Sequence, residues 1–285
     1  MDLGIECEPY LVLGGAGGYF KAISEIRKKI ISFSPDVIHA HYGLCGLVAS
    51  LQRSVPVVTT YHGSDLNNSL LRLFSLWSIK HSKANIIVSK RLSQNALSKE
   101  RCFIIPCGVN SNFFSPMDKE LAREKLGWKT NETRILFSKE FFNKEKNYPL
   151  AKAAVDRYKG LYSKGKTVEL IEFIGYSREQ VHWLYNAVDC VIMTSHHEGS
   201  PQFIKEAMAC NCPIVSVDVG DVKHVIAGVD GCFLAERTPE DIADKLNSAI
   251  NHGKTNGREK VLQEYDSKVI AKKVAKVYEA VIAHE

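Results

Sequence analysis

The sequence predicts an α/β protein with two parallel sheets covered by helices. Three observations predict it. Short apolar runs alternate along the chain with longer segments of helical period, the pattern of parallel strands joined by crossover helices. The chain has 285 residues, 45% hydrophobic and 24% charged, enough to bury a large core and to build two domains. One apolar run, Cys190-Val191-Ile192-Met193, leads straight into turn and helix-start residues that carry Glu198 and Glu206, so polar chemistry gathers at a strand's carboxyl end.

Taken in order, residues 10–13 are apolar and run into Gly14-Gly15-Ala16-Gly17-Gly18, followed by a helical segment over 19–30. A strand, a glycine loop and a helix would suit a dinucleotide and make the chain an NAD-dependent oxidoreductase, one alternative reading. Against it, Gly17 is followed by Gly18, Tyr19 and Phe20, so the third glycine of G-x-G-x-x-G is missing, and Asp36 precedes the next strand instead of ending it. Strands of a first sheet are expected near 37–38, 55–60, 86–88 and 103–105. Residues 110–118 include Pro116 and little periodicity, which places a linker there and divides the chain into domains 1–116 and 117–285. Strands at 134–138, 168–173, 190–194 and 213–217 supply a second sheet. Val269, Ile270, Val274, Val277, Val281 and Ile282 predict one amphipathic helix over 267–284.

The window after Met193 is the most informative. Gly199 permits a sharp turn, Ser200 is a good N-cap, and Pro201 fits the first helical position, ahead of Gln202 and Phe203. With 1.5 Å of rise per residue, Glu198 and Glu206 stand on the order of 10 Å apart, facing one helix N-terminus. A diphosphate fits between them: the first-turn amides favour an anion, one carboxylate can accept from sugar hydroxyls, and the other from ribose hydroxyls. By itself the same spacing also describes a surface helix with two solvated acids.

Other residues carry weaker signals. His62 follows the strand-like Val57-Val58-Thr59-Thr60 and precedes Gly63, so it projects from a strand end; Asp65 can orient it or cap the next helix. His39 and His41 share a strand face, and His196 and His197 are adjacent on a loop, but neither pair has a third ligand at useful spacing, so no metal is expected. Eight scattered cysteines read as small buried hydrophobes. The net charge of +5 is mild and spread, and no nucleic-acid partner is expected. No apolar run reaches the roughly 18 residues of a membrane helix, and the first twenty residues lack a signal-like pattern, so a cytoplasmic protein is expected. Arg72, Lys80, Lys83 and Lys90 surround the apolar stretch 70–77, a candidate for weak, peripheral contact with the inner-membrane surface; the alternative is that these apolar residues form core.

Several segments, in order, resemble glycosyltransferase family 4. They are Pro35-Asp36-Val37-Ile38-His39-Ala40-His41-Tyr42, Thr60-Tyr61-His62-Gly63-Ser64-Asp65, Ile105-Pro106-Cys107-Gly108-Val109-Asn110, Gly175-Tyr176 with Leu184-Tyr185-Asn186-Ala187-Val188-Asp189, the Glu-x7-Glu signature from Glu198 to Glu206, and Pro213-Ile214-Val215 through Gly220. The resemblance implies a GT-B enzyme, with two Rossmann-like domains facing a cleft, the first on the acceptor side, and a C-terminal helix crossing back to the first domain. It implies retaining transfer of a sugar from a nucleotide-diphosphate donor, UDP or GDP, to a lipid-linked or saccharide acceptor in polysaccharide and cell-surface glycan synthesis. No metal or other cofactor is implied. His62 and Glu198 take the catalytic positions, and Lys146, Tyr176, Glu198, Gly199, Ser200, Pro201, Gln202, Phe203 and Glu206 the donor-binding ones. The family usually has an arginine shortly before the lysine; this sequence has Phe141 there, with Lys139 the nearest stand-in. The family's opening strand, glycine loop and helix have no counterpart ahead of Pro35, so the first domain is expected to be incomplete. The alternative is a truncated or non-catalytic remnant that still binds nucleotide.

Overall fold

The protein's structure, a computed structural model, describes residues 3–13, 15–96, 101–129 and 131–283; Gly14 of the glycine run and His284 of the expected last helix lie outside them. The chain forms two compact units, one of residues up to Cys107 together with those from Ile270 onward, the other Gly108–Val269. The expected division at 116 falls inside the second unit, because Val109 and Phe114 bury in that unit's core and Val109 bridges to Asp266.

The first unit contains α1 (Gly15–Phe33), β1 (Ile38–His41), α2 (Gly43–Ser50), β2 (Val57–Tyr61), α3 (Ser64–Asn67), α4 (Ser69–His81), β3 (Ala84–Ile87), α5 (Lys90–Ser93) and β4 (Cys102–Ile104). Its strands lie in the order β1-β2-β3-β4, all parallel. Residues 10–13 form no strand, so the dinucleotide alternative loses the element that would aim its glycine loop. Every residue of β2 and β3 is buried, as expected for parallel strands covered on both faces. One cover is the last helix of the chain, which begins at Ser267 and ends at Ile282. Its Ile270, Val277 and Val281 recur at helical spacing and bury against Val58, Ala84, Ile86 and Ile105.

The other face is built differently. Helix α4 turns Ser75 and Ser78 inward and meets α2 at Gly43 and Gly46. The serines stay satisfied: Ser75 Oγ donates to Asp65 O at 2.8 Å, and the Tyr61 hydroxyl lies 3.0 Å from Ser78 Oγ and 3.1 Å from Asn85 Oδ1.

The second unit contains α6 (Lys119–Lys125), β5 (Thr133–Phe137), a 3-10 turn (Lys144–Lys146), α7 (Tyr148–Tyr162), β6 (Val168–Ile171), α8 (Arg178–Ala187), β7 (Cys190–Met193), α9 (Gln202–Ala209), β8 (Ile214–Val217), α10 (Val222–Val225), β9 (Cys232–Ala235), α11 (Pro239–His252), α12 (Gly257–Lys260) and a π turn (Val261–Tyr265), after which α13 is the Ser267–Ile282 helix. The parallel sheet runs β6-β5-β7-β8-β9. Strand β9 was not expected; it is an edge strand, and three of its four residues are only partly buried. Of the eight cysteines read as small buried hydrophobes, Cys190, Cys210 and Cys212 are buried among apolar neighbours, Cys45, Cys102, Cys107 and Cys232 are partly buried, and Cys7 is exposed.

A Cβ at Gly43 would stand 2.0 Å from Ser75 Oγ and 2.7 Å from Ser75 Cα, and one at Gly46 would stand 2.2 Å from Ser78 Oγ and 2.5 Å from Thr59 Oγ1. Gly43→Ala and Gly46→Ala are therefore expected to destabilise the protein by about 1–3 kcal/mol each through forced separation of α2 and α4. Gly17 on α1 meets nothing within 4 Å, so Gly17→Ala is the control that should leave the thermal transition unchanged or raise it.

Candidate functional site

The second unit gathers its functional candidates at the carboxyl ends of β5 and β7. The 3-10 turn after β5 is fastened to the end of β7: Thr194 Oγ1 lies 2.9 Å from Lys146 O and 3.0 Å from Asn147 O, and His196 N donates to Glu145 O at 2.8 Å. That attachment delivers the Lys146 ammonium to the Glu198 carboxylate as an ion pair, with side chains 20% and 14% exposed. Arg237 donates to Ser195 O at 2.9 Å and so holds the same strand end from another side.

Glu206 lies on α9. It accepts from the Tyr185 hydroxyl at 3.0 Å, and burial raises its carboxyl above the usual range. Phe203, one turn earlier, packs against Phe173 and Tyr185 with ring centres 5.5 and 5.8 Å away. Gln202 reaches out of the first turn and donates to Gly108 O at 2.8 Å. Tyr176 is partly buried beside the core, its phenol pushed up by that burial, and follows Gly175 at φ +77°.

The expected cap differs. The helix begins at Gln202 with Pro201 in the N-cap position, and no side chain caps it. Ser200 is drawn away instead: its hydroxyl donates to Asp221 Oδ2 at 2.5 Å and accepts from Lys205 Nζ at 2.9 Å. Lys205 is 0% exposed. Burial raises the Asp221 carboxyl, while Ser200 and Lys205 pull it back down. Gly220, at φ +58°, allows the loop after β8 to press against this one, since a Cβ there would stand 2.8 Å from Gly199 O. The sequence reading missed Lys205 and Asp221. A lysine next to a glutamate on a surface helix reads as solvated, and only its place on the inward side of α9 could have signalled otherwise.

Ser138 Oγ, Ser195 Oγ and Asp221 Oδ1 are buried without a hydrogen-bond partner among the described residues. They follow β5, β7 and β8, so the unsatisfied polar atoms collect at the same end of the sheet as Lys146 and Glu198. The proposed stand-in Lys139 pairs with Glu140 at 3.2 Å, and Phe141 stacks on Tyr148 with ring centres 4.2 Å apart. Among the described residues neither pairs with Glu198, whose ammonium partner is Lys146.

His62 belongs to a separate cluster in the first unit. Its Nε2 lies 2.9 Å from His41 Nδ1 and its Nδ1 lies 3.6 Å from Cys107 Sγ. The His41 ring stacks on both His39 and His62, at 4.6 and 5.2 Å. His39 is held by Thr60 Oγ1 at 2.7 Å and by the Tyr278 hydroxyl of α13. Burial pushes His39 down to about 3 and His62 down to about 4, with neighbouring imidazoles adding to the effect, and burial also lowers His41. All three rings are therefore neutral near pH 7. Asp65 does not touch the His62 ring; its carboxylate accepts from the backbone N–H groups of His62 and Gly63 at 3.2 and 2.9 Å and fixes the turn. Among the described residues no group of three or more His, Cys, Asp or Glu has metal-holding geometry.

Comparison with known proteins places both units. Residues 4–113 match the family model described as Glycosyltransferase Family 4, and residues 150–252 match Glycosyl transferases group 1. The D-inositol 3-phosphate glycosyltransferase of Mycolicibacterium smegmatis is 25% identical over 259 residues, covering 76% of this chain and 60% of the relative. A Bacillus subtilis glycosyltransferase provisionally assigned to teichuronic acid biosynthesis is 23% identical over 235 residues, with 74% and 60% covered. The chain thus spans about 60% of the length of these curated relatives. Among solved structures, sucrose-phosphate synthase from Thermosynechococcus elongatus superposes with a TM-score of 0.75 at 18% identity, over 94% of this chain and 79% of that one. Anabaena HepE, solved in complex with UDP and glucose, superposes with a TM-score of 0.71 at 19% identity, over 93% and 82%. The fold is the two-domain, Rossmann-like GT-B fold, and the matches of the two units together support a glycosyltransferase of the family 4 type.

Proposed function

We propose that this chain binds a nucleotide-diphosphate sugar on its second unit and transfers the sugar, with retention, to a lipid-linked or saccharide acceptor of a cell-surface glycan. The observation that carries the reading is the Lys146–Glu198 pair beside the N-terminus of α9, with Glu206 further along the same helix. When donor binds, the Lys146 ammonium exchanges its carboxylate for the diphosphate, joined by the N–H groups of Ser200, Gln202 and Phe203. Glu198 is then released to accept from sugar hydroxyls, and ribose hydroxyls join Tyr185 as donors to Glu206. In the transfer the bond from the anomeric carbon to the phosphate oxygen breaks and its electron pair leaves with the diphosphate. The acceptor oxygen bonds on the same sugar face and its proton passes to the departing phosphate. The positive groups at Lys146 and the helix start stabilise the charge that develops there. His62, neutral at working pH, is assigned to hydrogen bonding with the sugar. UDP is the first donor base to test, with GDP beside it, since HepE was solved with UDP and glucose. A cytoplasmic location, where nucleotide sugars are made, goes with this reading.

Titration calorimetry with UDP and GDP tests the donor site. Glu206→Ala is expected to weaken nucleotide binding by tenfold to a hundredfold, the loss of a charge-assisted hydrogen bond of about 1.5–3 kcal/mol. Glu198→Ala should cost turnover more than nucleotide affinity, because it touches the reacting sugar. Tight nucleotide binding indifferent to Glu206 would remove the basis of the proposal.

The buried network under the loop gives a second test. Lys205→Met leaves Asp221 without its compensating ammonium and should lower stability by about 3 kcal/mol while weakening UDP binding. Lys205→Met with Asp221→Asn should recover part of the stability, since the two residues act as one unit. Strict additivity in denaturation would show that the two do not interact.

The histidines set a pH dependence of known sign. Free histidine titrates near 6.5, whereas His62 and His39 titrate at about 4 and about 3 in the fold. Between those values the unfolded chain binds protons that the folded chain refuses, so stability rises with pH across this window and is lost as pH falls from 6.5 towards 4. His62→Asn should flatten the fall of melting temperature over that interval.

A further inference from the structure

Helix α4 presents its apolar stripe outward. Leu70, Leu73, Phe74 and Trp77 stand at i, i+3, i+4 and i+7, one continuous face, and are 65%, 66%, 41% and 36% exposed. The inward side of the same helix is Ser75, Ser78 and Ile79. This inversion follows from the packing: inward residues must be small to approach Gly43 and Gly46, so the large apolar side chains are left on the opposite face. Of the apolar stretch 70–77, Leu76 packs against a core cluster and Leu71 is half-buried, while Leu70, Leu73, Phe74 and Trp77 stand outside the core.

The charge carried by this stretch of chain is of one sign. From 66 to 96 the sequence holds Arg72, Lys80, Lys83, Lys90 and Arg91, and no aspartate or glutamate. Lys80 and His81 continue the stripe by one further turn at its C-terminal end, both exposed, and the His81 ring stacks on Trp77. Lys90 and Arg91 on α5 are exposed as well. Among the described residues no helix is long and apolar enough to cross a membrane. A short helix with leucine, phenylalanine and tryptophan on one exposed face and cations at its end has the composition of one that lies in a lipid–water interface.

We infer that α4 is a docking surface for an anionic bilayer, with Leu70, Leu73, Phe74 and Trp77 seated among the headgroups and Lys80, at the end of the stripe, against their phosphates. The surface lies wholly in the first unit and its test does not use the donor site, so its failure and that of the proposed transfer are separately visible. Docking would bring the protein to the surface on which a lipid-linked acceptor resides.

Vesicles of phosphatidylglycerol mixed with phosphatidylcholine, and of phosphatidylcholine alone, provide the probe. The full chain should co-sediment with the anionic vesicles at low salt and be largely released at high salt, each basic residue near the surface being worth roughly fivefold in binding. Leu73→Glu with Phe74→Glu should abolish co-sedimentation while leaving the circular-dichroism melt and the UDP response unchanged, because both side chains are exposed. A chain carrying Trp128→Phe and Trp183→Phe keeps Trp77 as its one tryptophan; its emission should shift to the blue on vesicle addition and be quenched by brominated lipid. Absence of co-sedimentation at low salt overturns the inference. So does vesicle binding that leaves Trp77 emission unmoved, or a wild-type dimer that the double glutamate variant dissociates without any vesicle binding, which would assign the stripe to a second copy of the chain.

Discussion

A lysine wholly withdrawn from water underlies the loop that carries Glu198, and the local geometry of the second unit depends on how that charge is compensated. Removing an ammonium from water costs several kcal/mol even after relaxation, so Lys205 persists inside only with polar partners and an opposing carboxylate. Ser200 and Asp221 supply them. The same compensation draws the loop from β7 to α9 and the loop after β8 together, at a point where Gly220 has no side chain to hold them apart. It also orients the signature helix. Successive helical residues are turned by about 100°, so anchoring Lys205 inward sets the direction of its neighbour Glu206, which meets Tyr185.

Much of this was legible in sequence, and what was not has identifiable causes. The eight strands read from apolar runs are present, the central β2, β3, β7 and β8 because a parallel strand buried on both faces leaves little room for polar residues; β9, an edge strand, was not read. Lys146 and Glu198 were each singled out by motif resemblance, but their pairing was not, nor was the fastening of the turn by Thr194 and His196, since both of those bonds use backbone atoms that sequence does not display. Ser200 has the chemistry of an N-cap and does not act as one, because a stronger charged partner, Asp221, competes for its hydroxyl. The period of α4 was plain while its orientation was not. Periodicity identifies an apolar face without saying which side faces the core, and here small residues at Gly43 and Gly46 decide the matter from another helix.

The histidine stack of the first unit illustrates the difference between a reactive and a positioned imidazole. Burial disfavours a charge on any of the three rings, and because they stack in a row, with His41 and His62 hydrogen-bonded to each other, mutual repulsion adds to that cost. The rings are thereby kept neutral near pH 7, each nitrogen free to act as a hydrogen-bond donor or acceptor according to its tautomer. A neutral His62 is suited to holding a sugar hydroxyl and poorly suited to storing a proton for transfer. The assignment of the acceptor's proton to the departing phosphate is consistent with that limitation.

The arrangement of the second unit follows finally from what a parallel sheet does to its ends. Strand interiors are satisfied by the ladder, but at the carboxyl ends the chain must turn away, and polar side chains there need partners from elsewhere. Most find them: Thr194 on the Lys146 turn, Arg237 on the carbonyl of Ser195, Ser200 on Asp221. Among the described residues Ser138 Oγ, Ser195 Oγ and Asp221 Oδ1 do not, and a buried polar atom without a partner costs about 1–3 kcal/mol. A fold retains such costs where the same atoms are needed for something the protein alone does not provide. Their coincidence with Lys146, Glu198 and the start of α9 is what a ligand rich in hydroxyl and phosphate oxygens requires, because one such molecule can satisfy a cation, a carboxylate and several lone hydroxyls together.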